Sequence, residues 1–93
     1  MLKYNELTKD AHLHDGNEKE VERLITLLES NQIKSLYLEY SYLRFFSDRI
    51  LNVLSKSNSL ISVTLKGTTF NNIAELIDVI RKHHPGLTDL TIR

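Results

Sequence analysis

A 27-residue spacing constrains this chain more than any other feature. Ile33-Lys34-Ser35-Leu36-Tyr37-Leu38 aligns with Leu60-Ile61-Ser62-Val63-Thr64-Leu65, and again with Leu87-Thr88-Asp89-Leu90-Thr91-Ile92. Apolar residues fill the first, fourth and sixth positions each time. The first two copies extend further, through Ser41 and Leu43 and through Thr68 and Phe70. In an apolar-x-apolar strand the two apolar side chains leave on one side and the middle one on the other. The spacing therefore predicts three strands of one parity, separated by connections of equal length.

Those connections read as helices. Val21, Leu24, Ile25 and Leu28 recur at helical spacing, as do Ile73, Leu76, Ile77 and Ile80. Ile50, Leu51 and Leu54, with Val53 beside them, do so more loosely. Asn17 with Glu20 three residues on predicts a capping box. Ser47 before Asp48, and Asn71 or Asn72, are candidate caps for the next two helices. Arg81-Lys82-His83 places cations at the negative end of the third helix, and Pro85-Gly86 stops it.

Strand, helix and strand in fixed register predict parallel strands with right-handed crossovers. The stretches Leu27–Leu38 and Val53–Leu65 resemble the leucine-rich repeat of the ribonuclease-inhibitor type, whose units alternate strand and helix over roughly 28 residues. The resemblance covers about residues 20 to 93. It implies an α/β fold, a right-handed βα solenoid with the parallel sheet on the concave side and helices on the convex side. The usual Asn or Cys of the family is Ser41 and Thr68 here, which predicts weaker stitching between turns.

The expected organisation is one domain over 1–93, with repeats at about 33–59 and 60–86 and a truncated repeat at 87–93. Residues 1–16 read as an irregular N-terminal cap with room for a short edge strand. Matching Leu13 to Leu43 gives an offset of 30 and puts Glu6 and Thr8 at strand positions; matching Leu7 to Leu36 gives 29 and puts Lys9 inward. Both registers remain open. The sequence stops at Arg93 inside the truncated unit, which reads as a piece of a longer repeat protein or as an edge covered by another chain.

Composition removes several function classes. Twelve basic residues balance twelve acidic ones, so the clustered excess charge behind non-specific nucleic-acid or anionic-membrane binding is missing. No stretch approaches the roughly 18 apolar residues of a membrane helix. The N-terminal residues lack the apolar core of a signal peptide, which makes the cytoplasm the default, although a protein delivered to a host cell would look the same. Without cysteine there are no disulfides, thiolate nucleophiles or thiolate metal sites.

Chemistry-bearing residues are few. His12 and His14 on an extended stretch would point their rings one way, but no third metal ligand stands at suitable spacing. His12 and His14 read as a solvent-exposed pair in the cap and His83 and His84 as a pair at a helix C-terminus, so no metal or cofactor is expected. The carboxylates Glu18, Glu20 and Glu22 read as a solvated helix face. No nucleophile elbow, phosphate loop or zinc-protease motif is present. A small α/β enzyme would have to use Tyr40, Ser41, Gly67 and Thr68 beyond the strand ends, and these lack a charged or metal-binding partner.

The strand residues between the inward leucines carry the functional expectation. Tyr37 and Glu39, Thr64 and Lys66, and Thr91 and Arg93 form rows on a bare sheet face. Glu39 and Lys66 read as a cross-strand ion pair, and Tyr37 as an aromatic anchor of the kind enriched at binding hot spots. The expected function is a non-enzymatic protein–protein interaction module. The alternative is a structural, self-assembling domain that pairs through its uncapped C-terminal strand edge.

Overall fold

The computed structural model describes all residues from Met1 to Arg93. In chain order the elements are β1 (Leu2–Asn5), β2 (Asp10–His14), α1 (Glu18–Glu29), β3 (Ser35–Glu39), a 3-10 turn (Arg44–Phe46), α2 (Ser47–Lys56), β4 (Ser62–Lys66), α3 (Ile73–His83) and β5 (Asp89–Ile92). One five-stranded sheet runs in the order β1-β2-β3-β4-β5. The strands β2 to β5 are mutually parallel, and β1 is antiparallel to β2.

Helix faces form where the apolar spacing places them. Val21, Leu24, Ile25 and Leu28 are the buried residues of α1. Asn17 Oδ1 accepts from the Glu20 N–H at 2.9 Å and Glu20 Oε1 accepts from the Asn17 N–H at 3.1 Å, completing the capping box. Asn72 caps α3 through the Glu75 N–H at 3.0 Å. Ser47 is not a cap. The 3-10 turn runs straight into α2, so Ser47 already has helical backbone angles, and its hydroxyl donates to Arg44 O at 2.9 Å and accepts from the Asn71 N–H at 3.2 Å.

These helical faces meet one face of the sheet. Leu24, Leu28, Ile50, Leu54, Leu76 and Ile80 share a single apolar core with Leu36, Leu38, Val63 and Leu65. The helices pack side by side over that core, and the molecule has two layers. Each buried leucine or isoleucine contributes on the order of 2 kcal/mol relative to leaving it exposed.

The expected solenoid is corrected by this topology. The sheet is mixed rather than wholly parallel, and the body measures 30 × 29 × 22 Å, with no long axis along which units are stacked. The cause lies at the N-terminus, where residues 1–16 hold two strands of the sheet. Asn5 Oδ1 accepts from the N–H groups of Leu7 and Thr8 at 2.9 and 3.2 Å, and Lys9 adopts a left-handed φ of 62°. So short a loop can join only antiparallel strands. The Tyr4 hydroxyl then donates to Gln32 O at 2.7 Å and anchors the hairpin to the turn before β3. Neither N-terminal register expected from the sequence occurs. Ala11 lies beside Leu36 and Leu13 beside Leu38, an offset of 25.

Side-chain links between neighbouring turns are present in spite of the serine and threonine. The Gly16 N–H donates to Ser41 Oγ at 3.4 Å, and Thr68 Oγ1 donates to Leu38 O at 3.1 Å. Backbone bonds run the same way, from Asp15 N–H to Glu39 O at 3.0 Å and from Tyr40 N–H to Lys66 O at 2.8 Å.

His84 is buried, because it pins the start of β4. The Leu60 N–H donates to His84 Nδ1 at 3.1 Å, which leaves the ring proton on Nε2, where it meets Leu54 O at 3.0 Å. Burial disfavours the imidazolium and lowers the His84 pKa; the bond to Leu54 opposes this, and the charge of His83 adds to it.

Two predictions follow from these contacts. Gly67 leaves β4 at φ +57°, and an added Cβ would stand 2.6 Å from the Tyr40 ring. Gly67→Ala is expected to cost about 1–3 kcal/mol in chemical denaturation, whereas Gly86→Ala, with its nearest neighbour at 3.7 Å, is expected to be nearly neutral. The lowered His84 pKa means that its contribution is present above the unfolded value of about 6.5 and is lost as pH falls below it. Stability measured from pH 7 to pH 5.5 is therefore expected to fall less steeply in His84→Asn than in the wild type.

Candidate functional site on the open sheet face

With the apolar residues committed to the helix layer, the alternate strand residues line the other face, and no element packs over them. Cross-strand register builds three rows. Asn5, Asp10, Ser35, Ser62 and Asp89 form one, and Lys3, His12, Tyr37, Thr64 and Thr91 the next. His14, Glu39 and Lys66 form the third, with Arg93 following β5 beside Lys66. Tyr37, Glu39, Thr64, Lys66, Thr91 and Arg93 thus lie on one surface, the first five half-buried and Arg93 exposed. A shallow depression lies on it, lined by Asp10, His12, Ser35, Tyr37, Ser62 and Thr64.

The expected Glu39–Lys66 ion pair does not form. Glu39 turns to β2 instead, where its Oε1 is 2.8 Å from His14 Nδ1 and its Oε2 is 3.8 Å from His12 Nε2. The Lys66 ammonium stands 5.5 Å above the Tyr40 ring, in cation–π range. Partial burial acts to raise the Glu39 pKa. Hydrogen bonds from Tyr37 and His14, with the charges of His14 and Lys66, outweigh it and hold the carboxyl below its usual value.

Aromatic contacts fix the two imidazoles. The His12 ring centroid is 4.5 Å from that of Tyr37, with the planes tilted by 59°. The His14 ring meets Tyr40 edge-on at 5.8 Å. Tyr40 holds a left-handed φ of 50° and lies against Gly67, so a strained turn residue braces this end of the face.

His12, His14 and Glu39 are brought together by topology that local spacing does not display. The alternation Asp10-Ala11-His12-Leu13-His14 is a half-buried strand pattern, and it is the signal that places both histidines on the open face.

The residues beyond the strand ends offer no free nucleophile. Ser41 is buried and its hydroxyl donates to Glu39 O at 3.1 Å, while Thr68 donates to Leu38 O. Gly67 serves the turn. The largest depression elsewhere lies between α1 and α2, lined by Ile25, Glu29, Arg49, Asn52, Val53 and Lys56. Arg49 in its lining is held by an ion pair with Glu22, whose second contact is 2.9 Å. No helix of the protein is long and apolar enough to cross a membrane. No protein-family model matches the chain, and no curated protein or solved structure matches it.

Proposed function

We propose that this chain is a non-enzymatic protein–protein interaction module whose partner seats on the open sheet face. One observation carries the reading: a five-stranded sheet whose inner face packs on the helices bears a side-chain surface on its outer face that nothing in the chain covers. Tyr37 stands near the middle of that surface, flanked by Thr64 and by the charged group of Glu39, Lys66 and Arg93. An aromatic anchor within a mixed polar rim suits a protein partner better than a lipid or nucleic-acid surface, since the net charge is zero. The reading rests on this face and not on kinship with leucine-rich repeats.

A second reading, self-association through β5, has its own observation. The Arg93 N–H donates to Leu65 O, and Arg93 O accepts from the Gly67 N–H. By the alternation of a parallel ladder, the backbone groups of Leu90 and Ile92 then point to the outer edge, where they have no strand to pair with. Ile92 is 47% exposed there. Such an edge is a template for another strand. Sedimentation at micromolar concentration is the check, and a monomer there removes this reading.

Affinity capture with the whole chain as bait tests the interaction reading. Tyr37→Ala is expected to keep the fold by circular dichroism and to weaken capture of the partner by more than about 1 kcal/mol. Lys56→Ala on the helix layer is expected to leave capture unchanged. Equal capture by Tyr37→Ala and the wild type would contradict the assignment of the face.

A further inference from the structure

We propose that His12, His14 and Glu39 form a binding site for one divalent transition-metal ion of the Zn²⁺ class. This inference does not depend on the partner-binding reading. His12 and His14 are two apart on β2, so both imidazoles project from the same face about 6.6 Å apart at the backbone. Glu39 is the in-register neighbour of His14 on β3, about 4.8 Å away across the ladder. Two strands therefore present three donors to one point in space, and the donor atoms all lie within 4.8 Å of one another.

The fit to a metal can be judged by distance. A tetrahedral ion with bonds of about 2.0–2.1 Å sets its ligand atoms about 3.3 Å apart. The two contacts to the carboxylate, 2.8 Å from His14 Nδ1 to Oε1 and 3.8 Å from His12 Nε2 to Oε2, lie to either side of that value, and all three donors fall within 4.8 Å of one another. Small rotations of exposed rings close the rest, and coordination through His14 Nδ1 displaces the proton it now shares with Glu39.

Ligand chemistry narrows the ion. Two imidazoles and one carboxylate suit zinc, cobalt, nickel or copper, whereas calcium and magnesium want shells of oxygen. The surrounding contacts are those of a supported site: His12 lies against the Tyr37 ring and His14 against the edge of Tyr40. Lys66 is held over the face of Tyr40, so the carboxylate is not consumed by an ion pair with it. Three protein donors leave a fourth position open toward solvent.

Isothermal titration calorimetry of the purified chain with zinc chloride, after removal of any purification tag, tests the site. One equivalent is expected to bind, with a dissociation constant on the order of 10 µM or tighter. The ring resonances of His12 and His14 should shift during the titration, while those of His83 and His84 stay in place. Millimolar calcium should not compete. His12→Ala and Glu39→Gln should each weaken binding by about 10-fold or more, and His83→Ala should leave it unchanged. Ring shifts in the wild-type chain keep the test decisive even where a variant folds poorly. Absence of saturable binding, calcium competition at equal concentration, unchanged affinity in Glu39→Gln, or shifts at His83 in place of His12 and His14 would each overturn the proposal.

Discussion

Side-chain parity, held in step across neighbouring strands, is the constraint on which this molecule depends. Leu36, Val63 and Leu90 lie beside one another, as do Leu38, Leu65 and Ile92, and in β3 and β4 each of these leucines and valines is buried. Because successive strand residues point to opposite faces, burying one set delivers the other set to the opposite surface. A slip of a single residue would replace Leu36 by Tyr37 and Leu38 by Glu39 in the core, placing a carboxylate among leucines. The helices reinforce the register from below, since the buried faces of α1, α2 and α3 pack on the same aliphatic rows. Composition of the outer face is thus free of any packing demand, and its residues are polar, aromatic or charged as chemistry requires.

That freedom explains the arrangement around Glu39. Its carboxylate stands between two imidazoles on one side and an ammonium on the other, and it turns toward the imidazoles. The tyrosines on either side act as walls: Tyr37 within β3 and Tyr40 in the left-handed turn that follows it. Tyr40 can occupy that position because the matching residue on the next strand is Gly67, which leaves space for the ring. A turn glycine after β4 and an aromatic residue after β3 thereby shape the surroundings of His14.

Much of the frame was legible before any coordinates. Regular spacing marks β3, β4 and β5, helical apolar faces mark α1 to α3, and Asn17 with Glu20 marks the start of α1. The N-terminal hairpin was hidden because a search for leucines passes over Ala11, a small residue that fills a strand core position, and because its offset differs from the others. With that hairpin unread, the sheet looked wholly parallel and the molecule looked extended. Glu39 as the companion of His12 and His14 was hidden for the same reason, since a ligand 25 residues away comes into reach only once β2 is set beside β3. The burial of His84 was not legible because the Pro85-Gly86 terminator marks a loop, and loops are ordinarily exposed; here the ring accepts from the Leu60 N–H and donates to the Leu54 carbonyl.

Interstrand backbone contacts by nuclear magnetic resonance test this frame most directly. The expected contacts set Ala11 beside Leu36 and Leu13 beside Leu38 in parallel sense, with Lys3 opposite His12 in antiparallel sense. Antiparallel contacts between β2 and β3, or a register displaced by one residue, would turn His12 and His14 away from Glu39 and contradict the account.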